Sequence, residues 1–481
     1  MLVRLCGAMV VIMALVFAFR FVDSVPATGP AAQKQVGFAT GATVLGIQAA
    51  RGLKSHPHGS HPGRGHGLLA KITTTTLPAP TSTTTAVITT APPTTAPPTT
   101  APPTTSPPTS SPSTTGAPTT TAPPVTTTTA ASGVPAGAVV IQPGSNVQSI
   151  VNSKPAGSTF YFLAGVYSGQ TIAPRSGDVF LAQQGAVLTG NNQVDFAFRS
   201  SASNVTIKGF VVEKYANIAG SGAIDGAGVA WSIVGNEVRY NWGGGITLGD
   251  GYQVIGNNVH HNLQIGIKGD GDNVLIEDNE ISFNNYLDDY DMSWEAGGTK
   301  FVNTSNLVVR GNYVHSNHGH GLWTDGVDGF TLFENNTVMN NFGSGIFHEI
   351  SVAAVIRYNR VEGNAFPHSI GGIKVANSVD TEVHDNVVAG NDGGIVGGQD
   401  DRGSYLLKNL WVHNNAVSFS QGWNGVYENF GGTVLYTGHN NRFDSNSYST
   451  AGVAKPMFWM DTQRTVAEWQ GYGLDLNGAF S

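Results

Sequence analysis

Lys268, Lys300 and Lys374 are cations of the kind that hold carboxylate or sulfate groups, and Trp323, Phe347 and Tyr427 carry faces suited to sugar rings. Asp270, Asp325 and Glu349 fall close to them in a recurring Gly-Ile-x-Leu phrase. Removing the proton beside a uronate carboxylate needs a cation to neutralise that carboxylate and a base within reach. Lys300 or His320 would be the base, with Lys268 and Lys374 on the carboxylates. β-Elimination and C5 epimerisation share this first step. Glycoside hydrolysis instead needs two carboxyl groups. Asp325 and Glu349 lie one repeat apart, about 5 Å in a stacked sheet and near a retaining pair. Asp270 and Asp325 lie two repeats apart, about 9.6 Å and near the inverting range.

Histidines and acids also raise the question of a metal. The stretch GNYVHSNHGHGLWTDG, Gly311 to Gly326, holds His315, His318 and His320. Strand alternation sends His315 to another face, so the three would not converge on zinc. His318 and His320 fall on the turn beside Trp323 and Asp325, and His348 points inward or ends its strand. An insertion, YLDDYDMSWEA from Tyr286 to Ala296, supplies Asp288, Asp289, Asp291 and Glu295. These are either a Ca²⁺ site, which takes roughly six to eight oxygen ligands, or a solvated acidic loop. Repeat proteins carry insertions on their working face, and Trp294 would wall that surface.

The elements that position these residues follow from an internal repeat. Past residue 200 an apolar residue, Asn-x-Val or Asn-x-Ile, about five polar residues and Gly-Ile-x-Leu recur in that order, as in GNEVRYNWGGGITL and NNTVMNNFGSGIFH. The first Asn falls at Asn236, Asn257, Asn279, Asn312, Asn336, Asn359, Asn386, Asn415 and Asn441, at intervals of 21, 22, 33, 24, 23, 27, 29 and 26. Such a period of strand-like triplets and Gly/Asn turns signals a solenoid with three short strands per coil. The Asn column is expected to form a hydrogen-bonded ladder inside a turn. In Gly-Ile-x-Leu the Ile and Leu point inward and the middle residue outward. The outward column reads Thr247, Lys268, Lys300, Trp323, Phe347, Lys374, Val396 and Tyr427. Two residues on, a second column reads Asp270, Val302, Asp325, Glu349, Ala376 and Asn429. Together they make a groove, or else a solvated sheet whose charges pair by chance.

Composition narrows the classes. The chain has 481 residues, only 12% of them charged, with 62 Gly and a net charge of −8. Residues 1–132 carry +6 and residues 133–481 carry −14. An acidic globular part is a poor partner for a phosphate backbone, so nucleic-acid binding is not expected. Cys6 is the lone cysteine, which excludes an internal disulfide. Residues 1–27 hold a fifteen-residue apolar run after Arg4, the length of a signal-peptide core, cleaved or kept as an anchor. Residues 28–72 are basic and His-rich and are expected to be disordered. Residues 73–132 are Thr, Pro, Ala and Ser with tandem APPTT, an extended stalk that cannot bury a core. The folded domain is expected at 133–481.

Residues 135–481 resemble the right-handed parallel β-helix proteins of the pectate-lyase-like superfamily. The lead-in NVQSIVNSKPAGSTFYFLAGVYSG is similar to that family's capping helix and first coil, and TVAEWQGYGLDLNG to its closing cap. The resemblance implies an all-β, single-stranded, right-handed parallel β-helix of about ten coils with short capping helices, its Gly-Ile-x-Leu strand in a substrate groove. Polygalacturonases are matched in part, by GHG (319–321), TDG (324–326) and GIK (372–374), but the Asp motif follows Gly-His-Gly and the paired aspartates between are missing. Their catalytic roles are not carried over. The expected protein is secreted or attached to the cell surface through its N-terminus, monomeric because its core is capped, and active on a polysaccharide. The reading preferred is a uronate polymer cut or epimerised; hydrolysis through Asp325 and Glu349, or glycan binding by a stalked adhesin without turnover, are the alternatives. Ca²⁺ at the acidic insertion is the one cofactor these residues suggest.

Overall fold

The computed structural model describes residues 133–365, 370–450 and 452–481. The expected leader (1–27), basic segment (28–72) and stalk (73–132) lie outside these residues. Among the described residues no helix is long and apolar enough to cross a membrane.

Each coil contributes one strand to each of three sheets, as the repeat implies. Leu307–Arg310, Tyr313–His315 and Leu322–Asp325 make one such coil. Stacking is parallel and in register: Val309 pairs with Phe333, Val314 with Val338 and Leu322 with Ile346. All six are fully buried, and the alternation that sends them inward builds one continuous core. Each such side chain contributes roughly 1.5–3 kcal/mol by leaving water. Two sheets hold thirteen strands and the third twelve. Coils before residue 200, which lack the phrase, complete the stack.

The corners explain the recurring Asn and the residue before it. Gly256, Asp278, Gly311, Asn335 and Asp385 each precede a ladder Asn and have φ between 54° and 67°. That left-handed bend favours Gly, Asn and Asp, which is why the motif mostly reads GN, DN or NN, although Tyr358 and Ser445 make the same bend before Asn359 and Asn446. The following Asn points into the corner. Asn312 Nδ2 donates to Asn336 Oδ1 at 3.0 Å, and Asn336 Nδ2 to Asn359 Oδ1 at 2.9 Å, and so on coil after coil. The ladder departs from the expected series at its end. Asn415 Nδ2 donates to Asn446, not Asn441, because Asn446 occupies the corner between Arg442–Asp444 and Ser447–Ser449. Asn441 instead precedes that first strand and accepts from Leu410 N. A second ladder, Asn241–Asn262–Asn284–Asn317–Asn341–Asn364–Asn391, fills the next corner.

Both ends are closed. The helix Val147–Asn152, with Asn146 accepting from Ser149 N, buries Val147 and Val151 over the first coils. At the other end Val466–Gly471 begins with a Thr465/Glu468 capping box and buries Trp469 against Trp459 and Phe443. These caps cover the edges and apolar core that an open solenoid would expose.

Candidate functional site

The outward column is confirmed over six strands. Thr247, Lys268 and Lys300 are consecutive register partners, as are Trp323, Phe347 and Lys374. Asp325 and Glu349 pair two positions on. Tyr427 departs from its expected column: Val396 pairs with Gly425, and Tyr427 pairs with Gly398, in line with Asp325 and Glu349. A Cβ on Gly398 would sit 2.5 Å from the Tyr427 ring, so only glycine lets that ring lie there. Asp270 also leaves the groove. A register shift between Gly269 and Gly271 breaks the column, and Asp270 lines a separate hollow of about 540 Å³ with Asp225, Asp250 and Asp272.

Trp323, Phe347 and Ala376 face away from the core yet are only 2–6% exposed, forming a small apolar cluster of their own. The Trp323 and Phe347 rings stack at 5.6 Å. Their cover comes from outside the regular coils. Met292 and Ser293 of the insertion and Asp400 and Arg402 of a later loop join His320, Trp323, Phe347, Glu349 and Lys374 around a cleft of about 260 Å³. Five of the groove residues expected from the sequence therefore meet in one place.

Burial under that cover sets the electrostatics. Lys300 is 6% exposed; its ammonium pairs with Asp325 at 2.9 Å, donates to the Trp294 carbonyl at 2.6 Å and lies 3.7 Å from the Trp323 ring centroid. All three contacts tie the Lys300 ammonium to neighbouring groups of its own chain. His320, the other residue expected as a base, is oriented by a backbone N–H. Its Nδ1 accepts from Ser344 N at 3.0 Å, which leaves the proton of the neutral ring on Nε2. Burial, helped by the Lys374 and Lys300 charges, lowers its pKa to about 3. His320 is a neutral donor wedged against Trp323 and Phe347.

Glu349 accepts from Trp323 Nε1 at 3.2 Å and pairs with Arg402 at 2.9 Å. Its carboxyl is pushed above the usual range, by burial first and by Asp325 second. Lys374 is held below the usual lysine value by burial, against the opposing pull of Asp400 and Glu349. Its Nζ lies 4.9 Å from the Phe347 ring and 5.8 Å from the Tyr427 ring, with no ion pair among the described residues. Tyr427 donates to Asp400 at 3.0 Å, and burial with that carboxylate keeps its hydroxyl protonated.

The four acids of the insertion do not converge. Asp288 contacts His318 at 2.8 Å, Asp291 caps Ser293 N, Glu295 pairs with Lys268 at 2.8 Å, and Asp289 is exposed. Among the described residues no three His, Cys, Asp or Glu side chains are grouped to hold a metal. His315 contacts Glu280, away from the cleft, and His348 points inward, with Nδ1 2.7 Å from Thr324 Oγ1. Arg402 and Asp400 lie outside the repeated phrase and carry no motif of their own. Their one signal is the 29-residue interval between Asn386 and Asn415, which leaves room for the extra loop.

Residues 217–388 match the family model for a right-handed β-helix region. The described chain is a right-handed parallel β-helix. No curated protein matches it. Among solved structures it is similar to XylC in complex with xylose, at 11% identity over 69% of this chain and 82% of that one, with a TM-score of 0.50. It is similar also to the A-module of the Azotobacter vinelandii mannuronan C-5 epimerase AlgE4, at 17% identity over 66% and 94%, with a TM-score of 0.49. The periplasmic alginate epimerase AlgG gives 14% identity over 60% and 80%, with a TM-score of 0.38. At these identities the likeness concerns the fold alone.

Proposed function

We propose that the protein acts outside the cell on a uronate-containing polysaccharide, removing the proton beside a uronate carboxylate for β-elimination or C5 epimerisation. The observation that carries this reading is the state of Lys374: partly buried, lowered in pKa, over an aromatic floor and free of an ion pair among the described residues. The base in this reading is Lys374, because burial disfavours its charged form and so favours the amine that takes the proton. Arg402 is the carboxylate clamp, permanently charged and with guanidinium donors beyond the one given to Glu349. Trp323 and Phe347 floor the cleft, Glu349 orients both Trp323 and Arg402, and His320 offers Nε2–H. Incubation with a panel of polyuronides tests it, read by ultraviolet absorbance of unsaturated ends and by NMR of C5 configuration. One of the two products is expected, and Lys374→Met is expected to lower its rate by about 10²- to 10⁴-fold. Neither product from any polyuronide, or an unimpaired Lys374→Met, would sink the reading.

Glycoside hydrolysis is favoured by a separate observation, the register pairing of Asp325 with Glu349 and the raised pKa that Glu349 owes partly to Asp325. Against it, Lys300 already holds Asp325. Release of reducing ends without unsaturation, lost in Glu349→Gln, would establish this second chemistry. Tight polyuronide binding with no product would leave a glycan-binding protein.

A further inference from the structure

Two of the three groove lysines are satisfied by the chain's own insertion. Lys268 Nζ donates to Glu295 Oε2 at 2.8 Å, and Lys300 Nζ donates to the Trp294 carbonyl at 2.6 Å. Gln264 Nε2 adds a bond to the Glu295 carbonyl at 2.9 Å. Trp294 and Glu295 belong to the short helix Met292–Glu295, which buries none of its own residues, and Trp294 is 52% exposed. The helix is thus held to the groove by these polar contacts and by half-buried Met292 at the cleft, with no residue sunk in the core. Segments held in this way open at low cost compared with those anchored in a core.

The contact between Lys268 and Glu295 has the chemistry of substrate recognition: a lysine of the outward column gripping a carboxylate. Lys268 is the register partner of Lys300, which in turn lies against Trp323, so it sits two strands, about 10 Å, from the cleft floor. A neighbouring uronate of the same polymer would reach it. We propose that Lys268 is a second carboxylate subsite, and that Glu295 occupies it in the free protein as a stand-in for a substrate uronate. The proposal rests on the polyuronide reading above. Binding of the polymer displaces Glu295, loosens the insertion and opens the groove on that side. Glu295 therefore selects for chains with at least two acidic sugars, because a single uronate at Arg402 gains nothing at Lys268.

Displacement reduces the apparent affinity by the fraction of molecules in which the subsite is free. A partly buried ion pair worth roughly 0.5–1 kcal/mol makes that reduction about two- to fivefold. The test is calorimetric titration of the full chain with size-defined oligogalacturonates and oligomannuronates at low salt. Glu295→Gln, which keeps the side-chain shape and the backbone contact to Gln264, is expected to bind two to five times more tightly than wild type. Adding Lys268→Met to that variant is expected to abolish the gain. Wild type that binds while Glu295→Gln binds no more tightly overturns the stand-in but leaves the polyuronide reading intact. A double variant that keeps the gain removes Lys268 from the subsite. No binding by either wild type or Glu295→Gln overturns both.

Discussion

Replacing Asn336 by alanine removes four hydrogen bonds from the middle of a corner ladder. Its Nδ2 donates to Asn359 Oδ1 and to Val309 O, both at 2.9 Å. Its Oδ1 accepts from Asn312 N and Asn312 Nδ2, both at 3.0 Å. The losses are unequal. Asn359 Oδ1 keeps the Asn336 backbone N–H, and Asn312 Nδ2 keeps the Ile276 and Arg310 carbonyls. Asn312 N loses its acceptor inside a corner where Asn336 is 1% exposed. One orphaned buried donor costs about 1–3 kcal/mol and the shared bonds add about 1 more, so Asn336→Ala is expected to destabilise by roughly 2–4 kcal/mol. Asn336→Asp should be worse at neutral pH, since it turns an acceptor toward two acceptors and buries a charge. Asp475, where the ladder ends, meets the reverse situation: Asn446 N, Asn446 Nδ2, Tyr448 Oη and Trp469 Nε1 all donate to it. There a carboxylate matches every neighbour, and Asp475→Asn would turn an amide against the Trp469 N–H. Urea unfolding gives the changes, provided the m-value is unchanged; amide exchange over residues 312–359 checks that the loss is local. An Asn336→Ala change below about 0.5 kcal/mol, or Asn336→Asp more stable than Asn336→Ala, would refute the view that ladder direction matters.

Two further outcomes follow from the titrating groups. If neutral Lys374 takes the proton, kcat/KM rises with pH through the lowered Lys374 pKa, and Lys374→Arg removes that limb because arginine stays charged; a limb that survives the substitution assigns the base elsewhere. His348 is fully buried with Nε2 unpartnered, and burial lowers its pKa from 6.5 to about 3. The unfolded chain then binds a proton that the folded one refuses, so stability is present above pH 6.5 and is lost as pH falls toward about 3. His348→Gln should flatten that part of the urea-unfolding profile, and an unchanged slope would show that His348 is charged in the folded protein.

Much of the fold was legible because corner and strand chemistry repeat with a period. The residue before each ladder Asn must bend left-handed, and the apolar residue after it must enter the core, so the two constraints leave a visible phrase. The second ladder was written in the same phrase, as the Asn that closes GNEVRYN and NNTVMNN, but carries no strand signal of its own. Alternation located the outward column and failed where the backbone is irregular. The Gly269–Gly271 shift moved Asp270, and Gly425 took the place expected for Tyr427. Direction is also not environment. Lys300 and His320 point where expected, yet the Trp294 carbonyl that holds Lys300 and the Ser344 N–H that fixes the His320 tautomer come from other segments.

The same irregularity accounts for where the perturbed groups sit. A regular solenoid face is flat and open, and its lysines and carboxylates would keep the pKa values they have in water. Perturbed groups need cover that a repeat of equal coils does not provide. Here the two long intervals, 33 residues from Asn279 to Asn312 and 29 from Asn386 to Asn415, contain the insertion and the Asp400–Arg402 loop. They bracket the strands Leu322–Asp325, Ile346–Glu349 and Ile373–Ala376, and both contribute to the wall of the one cleft where Glu349, Lys374 and His320 are shifted. Thr247, on the same column but beyond the insertion, opens instead onto the broad hollow with Asp225 and Asp270. The repeat therefore supplies the alignment of the side chains, and the two departures from it supply the burial that shifts three of them.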